Sequence, residues 1–222
     1  MTSRPLAEEL QSQQSGLADF AGFELVDSVV YTIQQSIGVG LDLLGESNSA
    51  RKHVGNRFEE LIRAVVDAAG VCNEKIVFKI PYVEDGQERT YSCETDMVLS
   101  PGDRVKSSSQ MIDPNEVVIS LKTSSKDRMG KIFLDKMLMK EFAGHPVKVV
   151  GIFHNDVQRK GSDRVSFTFV SGLFMVYTKF LTELEGVYFI DPPPAVAKSP
   201  FNEHISRFSD FVLKDIWGLL ST

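Results

Sequence analysis

The hydrophobic period of this chain changes at Gly70, and that change limits the folds open to it. Upstream, RKHVGNRFEELIRAVVDAAG (residues 51–70) puts Val54, Phe58, Leu61, Ile62, Val65, Val66 and Ala69 on one face at helical spacing, and Gly70 ends the run. Downstream, KIVFKIPYV and RTYSCETDMVL read as two strands joined by an EDGQ turn, a hairpin signal. A polar stretch, SPGDRVKSSSQMIDPN, follows and is expected to be a mobile loop. Next come a strand at EVVISLKT, a helix from about Asp127 to Phe142 and a strand at VKVVGIF. The remainder reads as a strand at RVSFTFV, a helix near 173–184, a strand at VYFID, the breaker PPP and a closing helix at 203–220. Residues 17–44 read as one or two amphipathic helices ahead of this core. The order helix, three strands, helix, strand predicts an α/β fold with a mixed sheet of about five strands and helices on both faces.

Length and composition narrow the class. At 222 residues the chain suffices for one good-sized domain, or a domain with an appended arm. No apolar run approaches the length of a membrane span, and MTSRPLAEELQSQQSG lacks the apolar stretch of a signal peptide. Cys72 and Cys93 show no metal-ligand spacing, and a reducing cytoplasm is the expected setting. The net charge of −6 argues against a non-specific nucleic-acid coat. It is compatible with a local basic cleft, and with carboxylates gathered to hold a divalent cation.

The stretch VVISLKTSSKDRMGKIFLDK (residues 117–136) carries the candidate chemistry. Alternation puts Val118, Ser120 and Lys122 on one face of a strand, with Val117, Ile119 and Leu121 on the other. A lone lysine there reads as a solvated strand end. Asp96 changes that reading, because it opens the apolar part of the preceding strand, where packing does not call for an acid. If the two strands pair, Asp96 and Lys122 converge at one edge of the sheet. A carboxylate beside an ammonium suits divalent-metal phosphodiester hydrolysis. Asp135 lies among Ile132, Leu138, Met139 and Phe142 in a helix apolar nearly all round, so it is expected to be paired, protonated or metal-bound. Glu59 borders the apolar face of the first core helix and is placed to reach the sheet edge, whereas Glu60 points away. Lys126, Asp127 and Arg128 open the helix after the strand. They are either a solvated cluster behind a Ser124 or Ser125 cap, or a group that reads C and G edges in a major groove.

Together these residues resemble the PD-(D/E)XK nuclease superfamily. More narrowly, they resemble the type II restriction endonucleases related to EcoRII, NgoMIV and PspGI, which read CCGG, CCNGG or CCWGG-type sites. In that group Ser-x-Lys replaces Glu-x-Lys on the strand, and the missing acid comes from the following helix. Ser120-Leu121-Lys122 matches the first feature, and Asp135, thirteen residues beyond Lys122, matches the second. Lys126-Asp127-Arg128 stands where the group has its Arg-(Asp/Glu)-Arg reading triplet, Asp96 matches the strand aspartate, and Glu59 matches the acid on the first helix. Asp135 in place of glutamate is one methylene shorter, Lys126 in place of arginine offers a point donor, and Thr95 stands where proline is common.

The resemblance covers roughly residues 50–155 and implies a restriction-endonuclease-like fold. It implies Mg²⁺ held by Asp96, Asp135 and the Leu121 carbonyl, with Lys122 serving the attacking water. Ser120 and Glu59 complete the implied catalytic set, and Lys126, Asp127 and Arg128 contact DNA. The expected activity is sequence-specific hydrolysis of double-stranded DNA at a C/G-rich site, leaving 5′-phosphate ends. A two-fold related target calls for a homodimer or higher homo-oligomer. Residues 1–49 are then expected to form a helical arm for DNA contact or dimerisation, and residues 50–222 the nuclease core with a C-terminal strand and helix extension. Two alternatives stand beside this reading. One is a structure-selective repair or resolvase-type nuclease, which needs no base-reading triplet. The other is a DNA-binding module with a degraded site.

Overall fold

The structure is a computed structural model, and it describes residues 23–42, 47–125, 128–160 and 164–221. Helices α1 (Phe23–Asp42) and α2 (Ser47–Ala68) open the fold. After them come β1 (Cys72–Glu74), β2 (Val77–Glu84), β3 (Gln87–Glu94), β4 (Met97–Ser100) and β5 (Val117–Ser124). The sequence then gives α3 (Arg128–Ala143), β6 (Lys148–Asn155), β7 (Val157–Lys160), β8 (Arg164–Phe167) and α4 (Ser171–Phe180). It closes with β9 (Gly186–Phe189), β10 (Ile205–Arg207) and a helix α5 over 208–220, which widens to one π turn at Phe211–Asp215. The central sheet has six strands in the order β1-β4-β5-β6-β9-β10. The pairings from β1 to β5 are antiparallel and those from β5 to β10 parallel, so the sheet is mixed as expected.

Two departures from the sequence reading have local causes. RTYSCETDMVL is not one strand: it breaks at Thr95-Asp96 into β3 and β4. The Thr95 hydroxyl donates to the Ile76 carbonyl at 2.7 Å and accepts from the Ile76 amide at 3.3 Å, and this bracket turns the chain out of the hairpin. Strands β2 and β3 therefore pair only with each other, closed by a two-residue turn in which Asp85 (φ 52) and Gly86 (φ 74) take the left-handed geometry a tight hairpin needs. Likewise, RVSFTFV supplies β8, which pairs with β7 in a second hairpin outside the central sheet. The loop 101–116, expected to be mobile, is stitched down by the buried Glu116 carboxylate, which accepts the Lys106 and Ser107 amides at 2.6 and 2.9 Å.

Each face of the sheet has its own core. Val117, Ile119 and Leu121 of β5 join Val150 and Ile152 of β6 beneath α1, α2 and α5, where Phe58, Ile62, Val66 and Phe211 fill the layer. Val118, Val149 and Phe153 face Ile132, Phe133 and Met139 of α3 and Phe174 of α4 on the other side. Helix α1 packs against this body. Val30 is in the first core, and Asp27 accepts the Ser209 amide (2.9 Å) and hydroxyl (2.8 Å) at the start of α5. The expected boundary between residues 49 and 50 falls inside α2.

His154, at the end of β6, helps hold α1 in place. Its ring stacks on Tyr31 at 5.1 Å and meets Phe58 edge-on, and its Nε2 is buried without a hydrogen-bond partner. Burial pushes its pKa down from the ordinary 6.5 to about 4. Between those values the unfolded chain binds the proton and the fold does not, so stability rises with pH across that window. It is fully present above pH 6.5 and falls by about 3 kcal/mol as pH drops to 4. Urea melts of wild type and His154→Phe at pH 7.5, 5.5 and 4.5 check this: the gap between them should shift in the variant's favour as pH falls. A gap constant with pH would mean that the ring titrates in the fold as it does in the unfolded chain.

Candidate active site

The antiparallel register Met97↔Ile119 sets Asp96 across from Ser120, at the point where the Thr95 bracket delivers the chain into β4. Asp96 Oδ2 accepts from the Leu121 amide at 2.7 Å and from Lys122 Nζ at 2.6 Å, with Ser120 Oγ at 3.5 Å. Lys122 Nζ also donates to the Leu121 carbonyl at 2.9 Å. One ammonium thus bridges a carboxylate oxygen and a backbone carbonyl oxygen, with both charged side chains about four-fifths covered (17% and 19% exposed). Lys122 lies on the α3 face of β5, and α3 brings Asp135 to the same cleft. Asp96, Ser120, Lys122, Asp135, Lys131 and Glu94 all line it.

Asp135 is not sunk in an apolar surface, as the sequence suggested. It sits at the cleft rim, 21% exposed, and accepts from Lys131 Nζ one turn earlier at 2.5 Å. The outer face of α3 is open at Leu134 and Met137, and the charge the helix buries is that of the next residue, Lys136. Lys136 Nζ reaches both Glu185 oxygens (2.7 and 2.8 Å) and the Glu183 carbonyl.

No family model and no curated protein matches the sequence. Solved structures do. The type IIP restriction endonuclease Kpn2I superposes with a TM-score of 0.65 at 18% identity, covering 97% of this chain and 72% of that one. Restriction endonuclease PspGI, solved in complex with substrate DNA, superposes with a TM-score of 0.54 at 13% identity, covering 98% of this chain and 93% of that one. The fold is that of the type II restriction endonucleases.

Within that fold the other singled-out residues fall as follows. Glu59 lies on the far face of the sheet from Lys122 and accepts from Lys75 Nζ at 2.9 Å. Hydrogen bonding to Glu59 holds the Lys75 pKa above the usual lysine range, with Asp96 and Glu94 adding to the effect. Lys75 is thus hydrogen-bonded to Glu59 and feels the charge of the cleft carboxylates. Glu60 pairs with Arg57 on the exposed side of α2. Arg128 opens α3 and is exposed, while Lys126 and Asp127 lie outside the described residues. Ser125 is fully buried: its carbonyl accepts the Met129 amide at 3.0 Å, and its hydroxyl meets the Thr168 hydroxyl at 3.0 Å. Sequence reasoning missed Lys75 and Lys131, each the partner of a candidate acid. The i, i+4 spacing of Lys131 and Asp135 was the available signal. Among the described residues no three His, Cys, Asp or Glu side chains gather as a ready-made metal cage.

Proposed function

We propose that this chain is a Mg²⁺-dependent type II restriction endonuclease of the PD-(D/E)XK kind, hydrolysing phosphodiester bonds of duplex DNA at a C/G-rich, CCGG- or CCNGG-like site. The observation that carries the reading is the contact of Asp96, the Leu121 carbonyl and Lys122 in a cleft that Asp135 also lines. The donor set fits a hard divalent cation, because two carboxylates and a carbonyl offer only oxygen. That Asp96 Oδ2 and the Leu121 carbonyl already accept one ammonium together supports their suitability for positive charge. Asp96, Asp135 and Leu121 would hold Mg²⁺, which when bound supplies Lewis-acid stabilisation of phosphate charge. Lys122 orients the attacking water and donates to the developing charge on phosphorus-bound oxygen. Ser120 backs Asp96, and Glu59 acts from behind through Lys75. Lys126, Asp127 and Arg128 read base edges at the opening of α3.

A two-fold target needs two reading helices, so the working form is a homodimer or larger. Residues 1–49 serve as the arm for dimerisation or DNA contact. Leu25, Val29 and Ile33 recur every four residues on α1 and are all exposed, which supports a protein contact there. The free thiols Cys72 and Cys93 suit a reducing cytoplasm. Digestion of phage DNA with Mg²⁺, followed by sequencing of the ends, tests the whole reading. Discrete 5′-phosphate fragments sharing one C/G-rich site are expected, and uncut or randomly degraded DNA would overturn it.

Asp135→Asn probes the metal role separately. The Lys131 pair is half open to water at i, i+4 spacing and contributes only about 0.3–0.5 kcal/mol. The variant should therefore melt within about 2 °C of wild type and lose cleavage. Retained cleavage would reduce Asp135 to a surface ion pair. The reading cluster is tested by Asp127→Ala and Arg128→Ala, assayed in Ca²⁺ on cognate duplex and on duplexes with single C·G pairs swapped. Each should cost about 1–3 kcal/mol of discrimination per lost base contact. Equal losses on every duplex would mean phosphate contact only.

A further inference from the structure

We infer that Lys131 gates the metal site: in the free protein its ammonium stands in for the divalent cation at Asp135, and a DNA phosphate entering the cleft draws it away. The inference rests on the nuclease reading above. Each proposed metal carboxylate is held by a lysine, Asp96 by Lys122 at 2.6 Å and Asp135 by Lys131 at 2.5 Å, and all four side chains line one cleft. Both ammoniums therefore compete with a divalent cation for the oxygens it would use.

The two lysines are not equally free to leave. Lys122 Nζ is shared between Asp96 and the Leu121 carbonyl, and its side chain is only 19% exposed. The Lys131 side chain is 57% exposed, and its acceptor among the described residues is Asp135. A pair so open to water contributes little, so an arriving anion breaks it at small cost. Lys131 is thus the ammonium that yields, while Lys122 keeps its place beside Asp96.

The order of charges along α3 argues against a role in holding the helix. An ion pair at i, i+4 supports a helix best with the acid first, where it meets the positive end of the dipole. Here the lysine comes first, in an opening turn that has no acid and that also carries Arg128. Cations at that end weaken the helix and suit an external anion. Arg128, Lys131 and Asp135 fall at i, i+3 and i+7, so they share one stripe of α3. Along the axis Lys131 is about 4.5 Å from Arg128 and about 6 Å from Asp135. A DNA strand with its bases at the opening of α3 and its phosphate in the cleft passes Lys131.

The test is calorimetric titration with Ca²⁺, first of the free protein and then of protein saturated with a duplex carrying the site that digestion identifies. Wild type is compared with Lys131→Gln and Lys131→Arg, and circular dichroism melting checks that each is folded. Free Lys131→Gln should bind Ca²⁺ about tenfold more tightly than wild type, the order expected when one unit charge a few ångströms from a divalent ion is removed at a water-exposed position. Duplex should tighten Ca²⁺ binding in wild type, and that tightening should shrink by about fivefold or more in Lys131→Gln. Lys131→Arg keeps the charge and should behave as wild type in both titrations. Duplex binding by Lys131→Gln in Ca²⁺ should also show a slope of log K against log salt lower by about 0.9, one phosphate contact. No gain in Ca²⁺ affinity in free Lys131→Gln, or an equal duplex effect in both proteins, would overturn the inference. Wild type that still binds and cuts duplex would then leave the nuclease reading standing. Wild type that neither binds nor cuts duplex sinks that reading, and the gate with it.

Discussion

Lys122→Ala is expected to abolish cleavage while leaving binding of cognate duplex in Ca²⁺ largely intact. The role proposed for the side chain lies in the transition state, and Nζ is held by Asp96 Oδ2 at 2.6 Å and by the Leu121 carbonyl at 2.9 Å. A preorganised donor of this kind contributes about a hundred- to a thousandfold to kcat, and the loss is larger where the same group also orients the nucleophile. The fold should tolerate the change. Asp96 keeps the Leu121 amide at 2.7 Å, and its side chain retains access to water, so the carboxylate is not stranded. Single-turnover cleavage, with binding and melting measured on the same preparation, separates the outcomes. A folded, DNA-binding Lys122→Ala protein that cuts at the wild-type rate would falsify the catalytic role.

Residues whose role follows from their own neighbours were legible in the sequence. The apolar face of α2 and the Asp85-Gly86 turn are set by local period and backbone geometry, and both appear in the fold. Asp96 and Lys122 were legible for a different reason: Asp96 stands where strand packing asks for no charge, and its convergence with Lys122 needed only that β4 and β5 pair. Strand membership was not legible. Alternation in β2 and β3 is the same whether a hairpin joins the central sheet or stands apart, and the Thr95 bracket to Ile76, nineteen residues away, decides it. Strands β1 and β10 have three residues each, too short to show a period. In α3, apolar residues on nearly every side leave the rotation of the helix undetermined. Which of two adjacent charges is buried then depends on Glu185, far along the chain.

That dependence makes Lys136→Met the substitution with the largest expected effect on stability. Lys136 is 7% exposed and satisfies both Glu185 oxygens and the Glu183 carbonyl, while Glu185 also accepts the Val149 amide at 2.6 Å. Removing the ammonium leaves a part-buried carboxylate with one backbone donor, and breaking such a pair from one side costs about 3–5 kcal/mol. Glu185 is 30% exposed and can recruit water, so the low end applies, about 3 kcal/mol and roughly a 6–12 °C fall in Tm for a chain of this size. Lys136→Met/Glu185→Gln should recover part of the loss, because the stranded charge has gone with its partner. The consequence for function runs through the helix. Lys136 ties α3 to the β6–β9 side of the sheet, and Asp135 is the residue just before it on that helix, facing the cleft. A loosened α3 should lower kcat in the fraction still folded, by moving Asp135 relative to Asp96. Calorimetry and single-turnover cleavage well below the new Tm test both parts. Wild-type stability in Lys136→Met would show that the pair only offsets its own desolvation. Lowered stability with unchanged kcat would mean that Asp135 does not depend on how α3 is seated.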